Sequence, residues 1–168
     1  MKEIERWKPP PQDWLKCNSD AAWDESKENC RLGWVLRDHM GCVLWMGARS
    51  LSRLRSPIEA EAEALRWALL NMVRFNYRRV IFESDCKELI QAIQEESYRP
   101  SIRTYTADIL HKLDKIGDHR VVFKSRQGNE VADRVAKEAS NFESNSSVLF
   151  STMPSWIQTY VEADKPMV

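Results

Sequence analysis

The sequence predicts an α/β protein in which five strands form one mixed sheet with helices on both faces. Alternating apolar and polar residues in the amino-terminal part are typical of half-buried strands. Further along, helical periodicity alternates with short β-branched segments, an order that places the later strands parallel to one another. The predicted order of elements is β-β-β-α-β-α-α-β-α.

Three antiparallel strands are predicted first. Residues 14–23 alternate apolar residues with polar ones that include Asn18 and Asp20. Two further strands are predicted at residues 32–37 and 42–48, and the four-residue connection between them ends in glycine, which favours a hairpin. These strands form the antiparallel half of the sheet.

The middle of the chain predicts a helix, a strand and a second helix. Apolar residues recur at helical spacing over residues 57–75, and Pro57 suits the first turn of a helix. A β-branched strand follows at residues 79–83. Ser84 or Asp85 is then positioned to cap the next helix.

The last predicted elements follow a break at Pro100. Helical spacing of apolar residues predicts a third helix over 102–116, which Gly117 ends. A fifth strand is predicted at 120–124, and a fourth helix begins near Gly128.

We divide the chain into an extended leader (1–13), a domain (14–140) and a polar linker with a carboxy-terminal tail (141–168). The leader contains three consecutive prolines, which favour an extended conformation. The tail regains apolar residues, including Trp156 and Ile157. It either packs on the domain or docks elsewhere, and the sequence leaves both open.

Charge and cysteine content exclude several classes of protein. Lys and Arg number 25, as do Asp and Glu, so a uniformly basic surface that coats nucleic acid is excluded. The four cysteines have neither disulfide-framework nor zinc spacing. No apolar run approaches the ~20 residues that span a bilayer. We expect a soluble, monomeric intracellular protein of nucleus or cytoplasm, without a membrane partner.

Four acids occupy positions that converge in such a sheet. Asp20 lies on the first strand, Glu61 early in the first helix, Asp85 after the fourth strand and Asp133 early in the last helix. Carboxylates brought together repel one another unless cations bind them. Oxygen ligands without His or Cys suit Mg²⁺ or Mn²⁺.

Each acid also has a simpler explanation. Asp20 alone fits a solvated strand residue, and Asp85 fits a helix cap. Glu61 and Asp133 fit the favourable end of a helix dipole. Likewise, seven tryptophans permit base stacking, although positions such as Trp34 favour core packing.

The order of the elements and the residues around the four acids resemble the ribonuclease H domain. The resemblance is strongest to the version found in plants, alone or at the end of non-LTR retroelement polyproteins. The segments that carry it are Lys16-Cys17-Asn18-Ser19-Asp20-Ala21-Ala22, Glu59-Ala60-Glu61-Ala62, Glu83-Ser84-Asp85 and Asn129-Glu130-Val131-Ala132-Asp133, with Arg126 before the last.

This resemblance implies an endonuclease that hydrolyses the RNA strand of RNA–DNA hybrids with two Mg²⁺ ions, or Mn²⁺ in their place. The implied catalytic and metal-binding residues are Asp20, Glu61, Asp85 and Asp133. Asp20 would bridge the ions, with Glu61 and Asp85 on one ion and Asp133 on the other. The implied substrate-binding residues are Asn18, Arg126 and Asn129.

One departure from the family favours a second function. Many active members carry a His ten residues before the last catalytic Asp, where this chain has Phe123. A catalytically weak or inactive module that binds nucleic acid or a protein partner is therefore the alternative. A proofreading exonuclease is disfavoured, because Ala22 stands where that class needs an acid.

Overall fold

The structure, a computed structural model, describes residues 5–95 and 99–166. Its six strands are β1 (Leu15–Ala22), β2 (Asn29–Arg37), β3 (Val43–Ser52), β4 (Val80–Ser84), β5 (His119–Phe123) and β6 (Ser147–Phe150). Its five α-helices are α1 (Pro57–Arg74), α2 (Lys87–Gln94), α3 (Arg103–Ile116), α4 (Glu130–Glu138) and α5 (Gln158–Asp164).

One mixed sheet contains all six strands in the order β5-β4-β1-β2-β3-β6. The pairs β1–β2 and β2–β3 are antiparallel, whereas β1–β4 and β4–β5 are parallel. The predicted mixed sheet is therefore confirmed. The predicted number of strands was too low, because β6 in the tail pairs antiparallel with β3.

Local signals set most helix ends as predicted. Ser56 Oγ accepts a hydrogen bond from Glu59 N at 3.3 Å, and Pro57 occupies the first turn of α1. Gly117 ends α3 with a φ of 91°. The predicted cap of α2 was wrong: its N-cap is Cys86, whose backbone N–H donates to Ser84 Oγ at 3.1 Å.

The sheet carries a hydrophobic core on each face, as predicted. Helices α1, α2 and α3 cover one face, where Trp34 and Trp67 are buried with ring centroids 6.1 Å apart. Helix α4 covers the other face and packs against β2, with α5 beside it. The burial of Trp34 confirms core packing as the role of this residue.

Both terminal segments contact the domain. The leader has no helix or strand over residues 5–11, yet Trp7 is only 3% exposed. In the tail, Ile157 and Val161 are buried in the core beside α4. Residues 1–4 of the leader and 167–168 of the tail lie outside the described residues. No helix in the part of the chain that is described is long and apolar enough to cross a membrane.

Candidate metal centre

Two of the four acids lie at adjacent strand ends. Asp20 is near the end of β1, and Asp85 directly follows β4. The two strands run parallel, with Ser19 opposite Ser84. Because parallel neighbours end at the same edge of the sheet, their carboxylates are brought together.

Helix α1 brings Glu61 to the same edge. Its Oε1 accepts a hydrogen bond from the backbone N–H of Ala21 at 3.3 Å. Carboxylate oxygens of Asp20, Glu61 and Asp85 all lie within 4.8 Å of one another. Three acids separated in sequence therefore form one compact group.

Asp133 lies nearby but outside this group of three. It lines the same open cavity of about 610 Å³, together with Arg126. Its carboxylate pairs instead with Lys137 of the same helix, at 2.8 Å. This exposed ion pair uses Oδ2 of Asp133, so a metal could still be bound through the other carboxylate oxygen.

Burial and mutual repulsion dominate the electrostatics of the group. Burial, followed by the charges of Glu61 and Asp85, raises the pKa of Asp20 far above that of an ordinary carboxyl group. Burial and the charge of Asp85 likewise raise the pKa of Glu61. Burial raises the pKa of Asp85 as well, although the charge of Arg126 opposes the rise. Without a cation, the group is costly to ionise fully.

The donor set suits a hard divalent cation. All three side chains offer carboxylate oxygens, which Mg²⁺ and Mn²⁺ prefer. Glu61 Oε2 is buried and has no hydrogen-bond partner in the described part of the chain. A buried oxygen without a partner is unfavourable, and metal coordination would satisfy it.

The predicted substrate-binding residues separate into two groups. Arg126 is exposed and lines the cavity. Asn18 and Asn129 are only 0% and 1% exposed. Asn18 Nδ2 donates to Glu83 Oε1 at 3.0 Å and to Asn129 Oδ1 at 3.1 Å, and Asn129 Nδ2 donates to the carbonyl of Ser19 at 3.0 Å. Direct contact of these amides with a substrate would require breaking this network.

Sequence reasoning missed several buried polar residues beside this network. Lys16 Nζ lies 3.2 Å from Glu83 Oε2 and donates to the carbonyl of Lys8 at 2.7 Å. Arg37, at the end of β2, is completely buried. Its guanidinium lies 3.8 Å from the ring centroid of Trp7. The alternation along β1 placed Lys16 and Asn18 on one face, but no local signal identified their distant partners.

Phe123, which stands where many ribonucleases H have a His, ends β5 and is 43% exposed. A large part of its surface therefore faces solvent. The position is therefore open to solvent, and its apolar side chain provides no acid or base.

Solved ribonuclease H structures share this fold. The ribonuclease H1 of Halobacterium salinarum NRC-1 aligns over 77% of this chain and 98% of its own, with 22% identity and a TM-score of 0.71. LC11 ribonuclease H1 in complex with an RNA/DNA hybrid aligns over 74% of this chain and 94% of its own, with 20% identity and a TM-score of 0.67. The fold is therefore that of ribonuclease H.

A viral enzyme also contains the fold. The foamy viral protease–reverse transcriptase, solved with an RNA/DNA hybrid, aligns over 85% of this chain and 21% of its own, with 16% identity and a TM-score of 0.61. The reverse transcriptase-like family profile matches residues 18–139, so the chain belongs to that family. No curated protein sequence matches the chain.

Proposed function

We propose that this protein is a metal-dependent endonuclease that hydrolyses the RNA strand of RNA–DNA hybrids. The observation that carries the proposal is the meeting of Asp20, Glu61 and Asp85 within 4.8 Å at the edge of a ribonuclease H fold. Three acids that repel one another are costly to hold together unless a cation binds them. Their place beside an open cavity leaves room for a phosphodiester.

The chain's own residues would hold Mg²⁺, or Mn²⁺, at this site. Asp20, Glu61 and Asp85 are close enough to contribute to one ion. Asp133, on the cavity wall, is the candidate for a second. When bound, such ions lower the pKa of an attacking water and stabilise the leaving oxygen of a phosphodiester.

A hybrid substrate is supported by both similarity and charge. Two of the solved structures that share the fold contain RNA/DNA hybrids. Arg126 is an exposed cation on the wall of the candidate cavity, where it can contact a phosphate. Cations bound by the acids would make the same surface more positive. The zero net charge of the chain is therefore compatible with a polyanionic substrate.

The test is cleavage of a labelled RNA–DNA hybrid in Mg²⁺ or Mn²⁺, compared with cleavage by Asp85→Asn. Asp114→Asn is the matched control, because Asp114 is an exposed acid of α3 that does not line the cavity. We expect the unsubstituted protein and Asp114→Asn to cut the RNA strand, and Asp85→Asn not to. Equal cleavage by all three would identify a contaminant and refute the proposal.

Phe123 supports a second candidate, a weak or inactive module that binds nucleic acid or a protein partner. An exposed phenyl ring in place of His removes a group that aids proton transfer or product release in many family members. Tight binding of a hybrid without cleavage in either metal would favour this alternative.

On sequence motifs alone, we further propose that the domain is of the type found in plants or in plant retroelements.

A further inference from the structure

A completely buried cation joins the two terminal segments of the chain. Arg37 Nη1 donates to Asp164 Oδ2 of α5 at 2.8 Å, and the side chain of Asp164 is 10% exposed. The indole ring of Trp7 in the leader stacks on the same guanidinium, with its centroid 3.8 Å from Arg37 Cζ. A buried guanidinium is costly unless it is paired, so both segments stabilise its charge.

Asn18 connects this cation to the candidate metal centre. Its Oδ1 accepts hydrogen bonds from Trp7 Nε1 at 3.0 Å and from Arg37 Nη2 at 3.2 Å. Its Nδ2 donates to Glu83 and Asn129. A side-chain amide has two donors and accepts two hydrogen bonds, so the capacity of Asn18 is fully used. Two donors on one side and two acceptors on the other fix the orientation of the amide.

Asn18 and the two acceptors of its amide group each lie two to four residues before an acid of the cavity. Asn18 itself lies two residues before Asp20 on the same face of β1. Glu83 lies two residues before Asp85, and Asn129 lies one helical turn before Asp133. The amide therefore joins the three backbone segments that carry these acids.

We propose that Asp164 and Trp7 are positioning residues for the carboxylate group, acting through Arg37 and Asn18. The inference rests on the proposed function, since it assumes that the carboxylates bind Mg²⁺. Asp164 holds the guanidinium in place, and Trp7 shares the Oδ1 of Asn18 with it. Loss of either contact releases the amide and changes the spacing between β1, β4 and α4.

The test measures Mg²⁺ affinity by titration calorimetry on the full chain without nucleic acid. Substitution of a residue that supports a metal ligand typically weakens metal binding by ~10–100-fold. Asp164 is more distant from the ligands, so for Asp164→Asn we expect Mg²⁺ affinity to fall by about threefold to tenfold. The turnover number for hybrid cleavage should fall with KM unchanged, because neither residue lines the cavity. A contribution to stability alone would lower the melting temperature without changing Mg²⁺ affinity.

Two further variants make the test specific. Glu162→Gln removes a carboxylate from the same helix, but Glu162 is 52% exposed and pairs only with Lys165 among the described contacts, so Mg²⁺ affinity should not change. Trp7→Phe keeps an aromatic ring over Arg37 while it removes the N–H donor and one ring of the buried indole. It should therefore fold and still weaken Mg²⁺ binding.

The outcomes separate this inference from the proposed function. If Asp164→Asn and Trp7→Phe bind Mg²⁺ as tightly as the unsubstituted protein, the inference is wrong and the proposed nuclease is unaffected. If the unsubstituted protein itself binds no Mg²⁺, both are overturned. Equal weakening by Glu162→Gln would also overturn the inference, since the effect would then reflect the charge of α5 rather than the contact with Arg37.

Discussion

Glu61 accepts a hydrogen bond from the backbone N–H of Ala21, the residue directly after Asp20. This contact fixes the first helix to the strand beside it. The second carboxylate oxygen of Glu61 is buried and has no hydrogen-bond partner among residues 5–95 and 99–166. Helix α1 thus places a third carboxyl group beside those of Asp20 and Asp85. Such an arrangement favours metal binding at the expense of stability in the absence of metal.

Replacing Glu61 with Gln should raise the stability of the metal-free protein and lower its nuclease activity. The amide keeps an oxygen for the N–H of Ala21 but removes a carboxyl group that burial and the charge of Asp85 make costly to ionise. We expect the free energy of unfolding in EDTA to rise by about 1 kcal/mol, measured by urea denaturation. Hybrid cleavage should fall by at least about a hundredfold. A loss of stability in EDTA would show that the negative charge of Glu61 stabilises the fold.

Magnesium should stabilise the folded protein, and Asp20→Asn should abolish most of this effect. A cation that binds only the folded state at a hundred times its Kd contributes about 2.7 kcal/mol. The measurement is the melting temperature in EDTA and in excess Mg²⁺. The control variant Asp114→Asn should keep the full shift. If Mg²⁺ raised the melting temperature of Asp20→Asn by the same amount, Mg²⁺ would have to bind at a different site.

Arg126→Ala should weaken hybrid binding more than it slows the chemical step. Arg126 is exposed on the cavity wall, where it can neutralise one phosphate. Its loss should raise KM several-fold and reduce the slope of log affinity against log salt by about one. Fluorescence anisotropy at a series of salt concentrations gives this slope. An unchanged slope would mean that Arg126 does not contact the backbone of the substrate.

Phe123→His should increase the rate of cleavage. The position is 43% exposed, so the substitution leaves the core intact. An imidazole there would provide an acid–base group that Phe123 does not, and we expect a gain of about tenfold in turnover. Steady-state kinetics tests this, with Asp85→Asn added as the control that should remove all activity. No gain would show that position 123 does not take part in turnover.

The tail should contribute to the stability of the domain. Ile157 is 0% exposed and lies in the core beside α4. Truncation of such a side chain costs about 2–5 kcal/mol, so Ile157→Ala should lower the free energy of unfolding by an amount in that range. Thr159→Ala, at an exposed position of α5, should change it by less than about 0.5 kcal/mol. An equal loss of stability in Ile157→Ala and Thr159→Ala would contradict the packing of the tail against the core beside α4.

The sequence was most informative where local patterns determine structure. Periodicity predicted the helices on both faces and the five main strands. The positions of the four acids predicted that they converge, and three of them form one compact group while Asp133 lines the same cavity. The strand β6 was missed because it has only four residues and lies at the edge, where three of its side chains are exposed and no apolar alternation is needed.

The buried polar network was beyond sequence reasoning for a different reason. Arg37 and Asp164 are 127 residues apart, and neither belongs to a local motif. Arg and Asp are normally exposed, so their burial follows only from the packing of the leader and the tail. The leader also contributes to the enclosure of Asn18, whose Oδ1 accepts a hydrogen bond from Trp7 Nε1.

Gly33 allows helix α4 to lie close to the sheet, and this close approach limits which residues a related sequence can have at the same position. It lies directly opposite Asp20 in the strand register, and a Cβ at this position would lie 2.8 Å from the carbonyl oxygen of Ala132 and also meet the backbone nitrogen of Ala136. Any larger residue would push α4, and Asp133 with it, away from β1. A homologous sequence that keeps all four acids but lacks this glycine would preserve the carboxyl groups without their spacing. The glycine is therefore a steric requirement for the observed approach of α4 to the sheet, independent of the acids.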